Sequence, residues 1–421
     1  MVIHLSLHRH RNLIVVISSS LLIHVIYRLL FPYEINIDVI THVKTLWDPG
    51  WFDTVAFKYS QLCVQNGVLP YTATLVGYPF SVLEYPFLAG LLFYAIYLVS
   101  GDNFTTYTTI FQIVNMIFQA GISGSIYLIA SRFCSSRRSV ILGVGYALAP
   151  FILWTSMSRY DSIPTFFALL SLQNFLSKKR RLSYVWLALG MLFKIYPGLL
   201  VLAYLKYGLR NKFPKRYFLE LIGIPSAVIL LGLSPLLILN PFVVPALLGL
   251  YATFGWNWES IYGPIDQFLR PVFPSLAFIF IHQEIMRIVF ILACLSVLLL
   301  DLKSEWQLIN GVGYAVLCWM QTQWFFSPQY TLWISPILLS VATSNLIVLL
   351  YALIQGIMTL EIPSPFYFLA PVPQFYYGLY VFSTRILIFF VVMAILILRI
   401  QRESLKRTID KMRRWWRQEE L

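Results

Sequence analysis

Long apolar runs at 13–31, 217–239, 284–300 and 378–400 constrain this chain more than any other feature. Each approaches the ~20 residues with which a helix crosses ~30 Å of hydrocarbon. Inside that layer no water is present, so backbone N–H and C=O groups must pair within the segment. Of 421 residues, 59% are apolar and only 12% charged, too little polar surface to coat a soluble core of that size. A β-barrel would read as short strands of alternating polarity, and these runs do not alternate. The expected fold is therefore all-α, a single polytopic transmembrane bundle over 1–421 with about ten to twelve spans.

Charge orients the bundle. The net charge of +13 concentrates at 178–181 (Lys-Lys-Arg-Arg), 206–216 and 402–417, the pattern of cytoplasmic loops and tails. This argues for membrane orientation and against a nucleic-acid partner. The run at 13–31 follows His8-Arg9-His10-Arg11 without a small-residue cleavage site after it, so it reads as a retained first span. Further spans are expected near 85–100, 107–131, 139–157, 162–177, 183–207, 306–323, 328–342 and 344–360. Basic residues at both ends imply an even number of crossings, yet simple counting puts Arg132, Arg137 and Arg138 on the outer side. Segment 183–207 is flanked by basic residues on both sides, although 25 residues cross once. The sequence thus predicts that one or both of these regions is broken or re-entrant.

Between the first two spans lies a long outer loop, 32–84. In it Trp51, Phe52, Val55, Tyr59, Leu62 and Cys63 recur at three- and four-residue spacing, the mark of an amphipathic helix at the membrane interface. Segments 240–270 and 361–377 are rich in Trp, Tyr and Pro and are expected on the same outer side, while 401–421 forms a basic cytoplasmic tail. Cys63, Cys134, Cys294 and Cys318 show no paired spacing, so neither a disulfide framework nor a thiolate metal site is expected. No internal repeat is evident, which disfavours a repeat-built transporter.

Several polar residues interrupt this apolar background. Asp53 follows Pro49-Gly50 at the first turn of the amphipathic helix, where an acid either complements the helix N-terminus or serves as a base. Glu84 stands where the second span begins and reads as an interfacial cap if taken alone. Arg159 and Asp161, in Ser158-Arg159-Tyr160-Asp161-Ser162-Ile163-Pro164, place a cation and an anion between two spans; a plain turn is the simple reading, but ionisable groups near membrane depth are costly and commonly paired or functional. Lys194, in Phe193-Lys194-Ile195-Tyr196-Pro197, sits mid-segment, where snorkelling to the interface is less natural than at a helix end. Glu259 (Trp-Asn-Trp-Glu-Ser) and Gln329 (Ser-Pro-Gln-Tyr) lie among belt-forming aromatics that do not account for them. Asp53, Glu84, Asp161, Glu259 and Gln329 all map to the side poor in Lys and Arg. One site is expected there: carboxylates for hydroxyls, aromatics for sugar faces and cations for phosphate.

Taken in order, these motifs resemble the C superfamily of membrane glycosyltransferases, in particular the polyprenyl-phosphate-mannose-dependent mannosyltransferases that include the phosphatidylinositol-mannoside enzymes. The similarity covers most of the chain. It rests on Asp53 about eighteen residues before Pro70-Tyr71, on Glu84-Tyr85-Pro86, on Tyr160 to Pro164, on Lys194-Ile195-Tyr196-Pro197, on Glu259-Ser260, and on Ser327-Pro328-Gln329-Tyr330 with Trp333 and Pro336. The family commonly carries a second proline where Phe87 stands here, and Asp38 and Asp48 are rival acids in the loop. The resemblance implies inverting transfer of a hexose, mannose foremost, from a polyprenyl-phosphate sugar to a lipid- or protein-linked glycan on the outer face of the plasma membrane. Asp53 would be the general base, and Lys194 and Arg159 would hold the phosphate. Glu84, Asp161, Glu259 and Gln329 would position donor or acceptor, with neither metal nor cofactor and with membrane lipids as surroundings. No glycine-rich phosphate loop is present, so a nucleotide-sugar donor is not expected. The rival class is a lipid-linked sugar flippase or small-solute transporter.

Overall fold

The computed structural model describes residues 2–30, 51–72, 85–245, 260–323, 327–361 and 383–402, and every regular element among them is a helix. Among these described residues four stretches are long and apolar enough to cross a membrane unaided. These are Arg9–Leu30 of α1 (Val2–Leu30), together with α4 (Phe104–Ala130), a helix over Lys215–Leu239 and one over Ser383–Arg402. α5 (Ser136–Ala147) and α6 (Pro150–Ser158) pass the same test only together, bent by 53° where Ala149 caps and Pro150 opens the second piece, as in a broken span or a re-entrant loop. Among the described residues this falls short of the expected ten to twelve spans: four stretches qualify, or five if α5 and α6 make one, and the other apolar helices are too short to cross alone. The four long stretches divide by what they touch. In α1 and in Lys215–Leu239 only 17% of the most apolar window is buried, against 67% in α4. Leu22, Leu231 and Ile238 stand open on the first two, as expected of a lipid-facing belt rather than of a soluble domain.

One end of the molecule collects the basic residues. Arg9 donates to Ser131 Oγ at 3.3 Å and Asn12 to Ser136 Oγ at 2.7 Å, so Arg132, Arg137 and Arg138 lie beside the N-terminal basic stretch rather than across the bilayer from it. Arg132 pairs with Glu305 at 3.0 Å, Arg138 donates to the Ala342 carbonyl at 3.0 Å, and Arg399 to Thr343 Oγ1 at 3.0 Å. The counting difficulty disappears because 85–100 is not a crossing. α3 (Phe87–Ser100) starts where Tyr85 packs on Tyr160 and runs away from the basic end to Gly101, where the chain turns into α4.

Of the two regions, the span expected at 107–131 is one unbroken helix and 183–207 is broken. α7 (Ser162–Leu176) runs toward the basic end, α8 (Arg180–Phe193) returns, and a 3-10 turn over Tyr196–Gly198 sends α9 (Leu199–Arg210) back again. Tyr204 of α9 stacks on Phe175 of α7 at 4.1 Å, and its hydroxyl lies 3.0 Å from Ser171 Oγ, which fixes the parallel course of α7 and α9. The basic residues flanking 183–207 therefore share one end. From there α10 (Lys215–Leu239) crosses to the other.

Beyond α4 and α7, at the opposite end, α2 (Trp51–Gln65) lies against α3. Its buried stripe is Ala56, Tyr59, Ser60 and Cys63, a face turned onto protein. Phe57 meets the rings of Tyr97, Phe104 and Tyr107 edge-on within 5.1–5.3 Å. Gln61 and Tyr97 both donate to Asp102 Oδ1, at 2.8 and 2.6 Å, and together hold that carboxyl below its usual range. α2 ends at Gly67, whose φ of 63° suits a residue without Cβ. The chain then brings Tyr71 onto α3 at Gly90, so closely that a Cβ there would overlap the Tyr71 ring. Gly90→Ala should displace Tyr71 and destabilise the fold by about 1–3 kcal/mol, as overpacking does. Denaturation of the purified variant checks this, and wild-type stability would show that Tyr71 is free to move.

Candidate functional site

Asp161 lies at the N-terminus of α7 and Lys194 at the C-terminal end of α8, side by side because the two helices are antiparallel. Each charge thus faces the helix end that favours it, the carboxylate the positive end and the ammonium the negative end. Lys194 Nζ donates to Asp161 Oδ1 at 2.7 Å, with the side chains 17% and 0% exposed. Helices of 15, 14 and 12 residues separate this point from the basic end, so it lies about 20 Å in, some two-thirds of the way across the hydrocarbon. Lys194 is not a snorkelling residue. The helix break at its position turns its ammonium onto a carboxylate inside the bundle.

Aromatic rings wall the pair. Trp333, on α15 (Thr331–Ser340), donates its indole N–H to the same Asp161 Oδ1 at 2.7 Å. Its ring is sandwiched between Tyr196 at 4.0 Å and Tyr330 at 4.1 Å. The Lys194 ammonium stands 5.1–5.2 Å from the ring centres of Tyr160, Tyr330 and Trp333, within range of their negative faces. Tyr196 OH donates to Thr165 Oγ1 at 2.8 Å, and Thr165 Oγ1 donates to the Asp161 carbonyl at 2.6 Å, which locks the break to the start of α7. Asp161 Oδ2 is buried with no hydrogen-bond partner among the described residues. Arg159 is half-buried in extended backbone between α6 and α7, two residues before Asp161. Among the described residues the locus thus gathers one carboxylate, one ammonium and, two residues before the aspartate, one guanidinium.

The motifs read from the sequence join around this point. Tyr71 OH donates to the carbonyls of Tyr85, at 2.7 Å, and Pro86, at 3.1 Å; Tyr85 meets Tyr160 edge-on at 5.3 Å, and Tyr160 adjoins Asp161. The Pro-Tyr motif, the Glu-Tyr-Pro motif and the Tyr-Asp-Ser motif are thus contiguous. Asn240 Nδ2 adds α10 by donating to the Tyr71 carbonyl at 2.7 Å. Gln329 is buried beside Tyr330 and accepts from Ser327 Oγ at 2.7 Å. Glu84, Glu259, Asp38 and Asp48 lie outside the described residues. Asp53 occupies the first turn of α2 as expected, with its side chain outside the description.

Three features escaped sequence reading. Trp333, Tyr196 and Tyr160 were visible only as motif letters, and nothing in one sequence says that an indole will bond Asp161. The second is a stripe of amides on α4, where Gln112, Asn115 and Gln119 are buried at three- and four-residue spacing and Asn115 Oδ1 accepts from Ser162 Oγ. That spacing was legible as one polar face on a span. The third is Arg385 on α17 (Ser383–Arg402), 1% exposed and 15 residues before Ile400, itself tied to the basic end through Gln307. At helical rise Arg385 is about 22 Å from that end, the depth of Lys194.

Neither a protein-family model nor a curated protein matches the chain. Among the described residues no group of His, Cys, Asp and Glu could hold a metal ion. The geometry itself predicts a coupling. Lys194→Met strands a buried carboxylate and should cost about 3–5 kcal/mol, whereas Asp161→Asn with Lys194→Met should recover most of it. Unfolding free energies of the two single variants and the double variant, measured in detergent, check this. Additive effects would mean that the two charges do not act as a pair.

Proposed function

We propose that the protein is a glycosyltransferase that moves a hexose, mannose foremost, from a polyprenyl-phosphate sugar to a lipid- or protein-linked glycan on the extracytoplasmic face. The single observation that carries this reading is the aromatic-walled Lys194–Asp161 pair, with Arg159 two residues away in sequence, about two-thirds of the way across the membrane from the basic end. The tail of a polyprenyl-phosphate sugar lies in the hydrocarbon with its phosphate at the interface, so cations recessed just below that interface can draw the phosphate in, where a lower dielectric makes each worth more than in water. Aromatic faces suit the sugar, and α2 supplies a carboxylate, Asp53, in the first turn of a helix at the opposite end from the basic loops.

In the proposed step the acceptor hydroxyl oxygen attacks the anomeric carbon while the bond from that carbon to the phosphate oxygen breaks. The bonding electrons leave on the phosphate, neutralised by Lys194 and Arg159, and the hydroxyl proton passes to Asp53. Attack opposite the leaving group inverts the anomeric centre. For Lys194 to meet the phosphate, Asp161 must share or release it.

A lipid flippase or solute transporter is the second reading. The observation that favours it is the break between α8 and α9 beside a paired charge, a feature that transporters use for substrate sites. Incubating the reconstituted protein with radiolabelled short-chain polyprenyl-phosphate mannose and a glycolipid acceptor separates the two. The expected result is label in the acceptor, and Asp53→Asn should lower it 10²- to 10⁴-fold, about 3–5 kcal/mol of barrier, while donor still binds. If Asp38→Asn or Asp48→Asn abolishes transfer instead, the base lies there. Label that crosses the vesicle membrane without transfer would establish transport.

A further inference from the structure

Two helical hairpins reach the basic end, and their tips are built alike. After α7, Lys178 N–H bonds the Phe175 carbonyl at 3.0 Å and Lys179 N–H the Asn174 carbonyl at 2.9 Å; after α9, Lys212 N–H bonds the Leu209 carbonyl at 3.3 Å and Phe213 N–H the Gly208 carbonyl at 3.0 Å. Both are Schellman closures, whose first residue beyond the cap takes a left-handed conformation and is usually glycine. Here it is a lysine in both, Lys178 with φ 62° and Lys212 with φ 53°. Each tip thus sets an exposed ammonium where backbone preference alone would select no side chain at all.

The tips are fastened into one surface. The Arg180 guanidinium lies 4.0 Å over the Phe213 ring and 5.4 Å from that of Tyr217, and Glu220 accepts from both Arg181, at 2.7 Å, and Arg216, at 2.9 Å. Lys178, Lys179, Arg180, Arg181, Leu182 and Glu220 line a depression of about 490 Å³. Lys178, Lys179, Lys212 and Lys215 are exposed and make no ion pair among the described residues, and Glu220 is the one carboxylate lining the depression. Apolar surface adjoins the charge, with Leu182, Leu209 and Leu219 standing 42%, 56% and 73% exposed.

We propose that the paired tips bind the headgroup of an anionic phospholipid from the leaflet at the basic end, with its phosphate among the lysines and its acyl chains along the exposed leucines. The adjoining leucines favour a lipid over a free anion, because a free anion has no use for apolar surface. The inference is independent of the reaction proposed above, since it concerns the other end of the molecule.

Native mass spectrometry of the full chain in detergent, given phosphatidylglycerol or phosphatidylcholine of the same acyl chains, tests it. Wild type should retain phosphatidylglycerol in preference, and Lys178→Gly with Lys212→Gly should reduce that retention about tenfold. Glycine suits both backbone positions, so this variant should melt no lower than wild type in phosphatidylcholine, which separates lost binding from lost folding. Removing equal charge elsewhere at the basic end, with Arg137→Gln and Arg402→Gln, should leave retention near wild type. Equal loss in that control, unchanged retention in the tip variant, or displacement of the lipid by millimolar inorganic phosphate would each overturn the assignment.

Discussion

An ion pair inside a hydrocarbon-spanning bundle is the constraint to which the rest of this architecture conforms. Lone charges at that depth are too costly to keep, so Asp161 and Lys194 must meet, and helices must end where they meet. α7 begins at the aspartate and α8 stops at the lysine, so both are too short to cross ~30 Å and neither passes the pair. The opposed helix ends, the indole N–H of Trp333 and the surrounding rings together supply what water would otherwise provide.

That arrangement sorts the remaining elements. Long apolar helices such as α1 and α10 face lipid with exposed leucines and isoleucines, while α4, the most buried of them, turns amides inward beside the start of α7. At the opposite end from the basic loops, α2 and α3 form a cover held by aromatic contacts and by the Tyr71 hydroxyl on the entry to α3. The charged locus therefore lies beneath an aromatic layer and above three short helices, recessed from either surface. Such a place suits a reacting group carried on a lipid tail.

Much of the fold was legible in the sequence, because apolar runs near membrane thickness admit one backbone solution. The irregularities were legible as contradictions. Arg132 fell on the wrong side by counting, and 183–207 had basic residues at both ends; each marked a segment that does not cross, α3 in the first case and the α8–α9 break in the second. The site was legible in part. Lys194 and Asp161 stood out as ions in apolar surroundings, but their direct pairing depends on α7 and α8 folding back on each other, a long-range fact that local pattern does not encode. The lysine was expected to be ready for phosphate and instead faces Asp161. Trp333 carried no polar signal, since an indole in an apolar stretch reads as core.

In the function we propose, the Lys194 locus receives a lipid-borne phosphate. Equilibrium binding of a short-chain polyprenyl monophosphate, without sugar or acceptor, to wild type and to the charge-neutral pair Asp161→Asn with Lys194→Met tests this, because that pair removes the ammonium without stranding a buried carboxylate. A loss of affinity of about tenfold or more is expected, the scale of one charge-assisted contact. Equal affinity in the two proteins would mean that Lys194 does not meet the phosphate and would leave the buried pair a purely structural device.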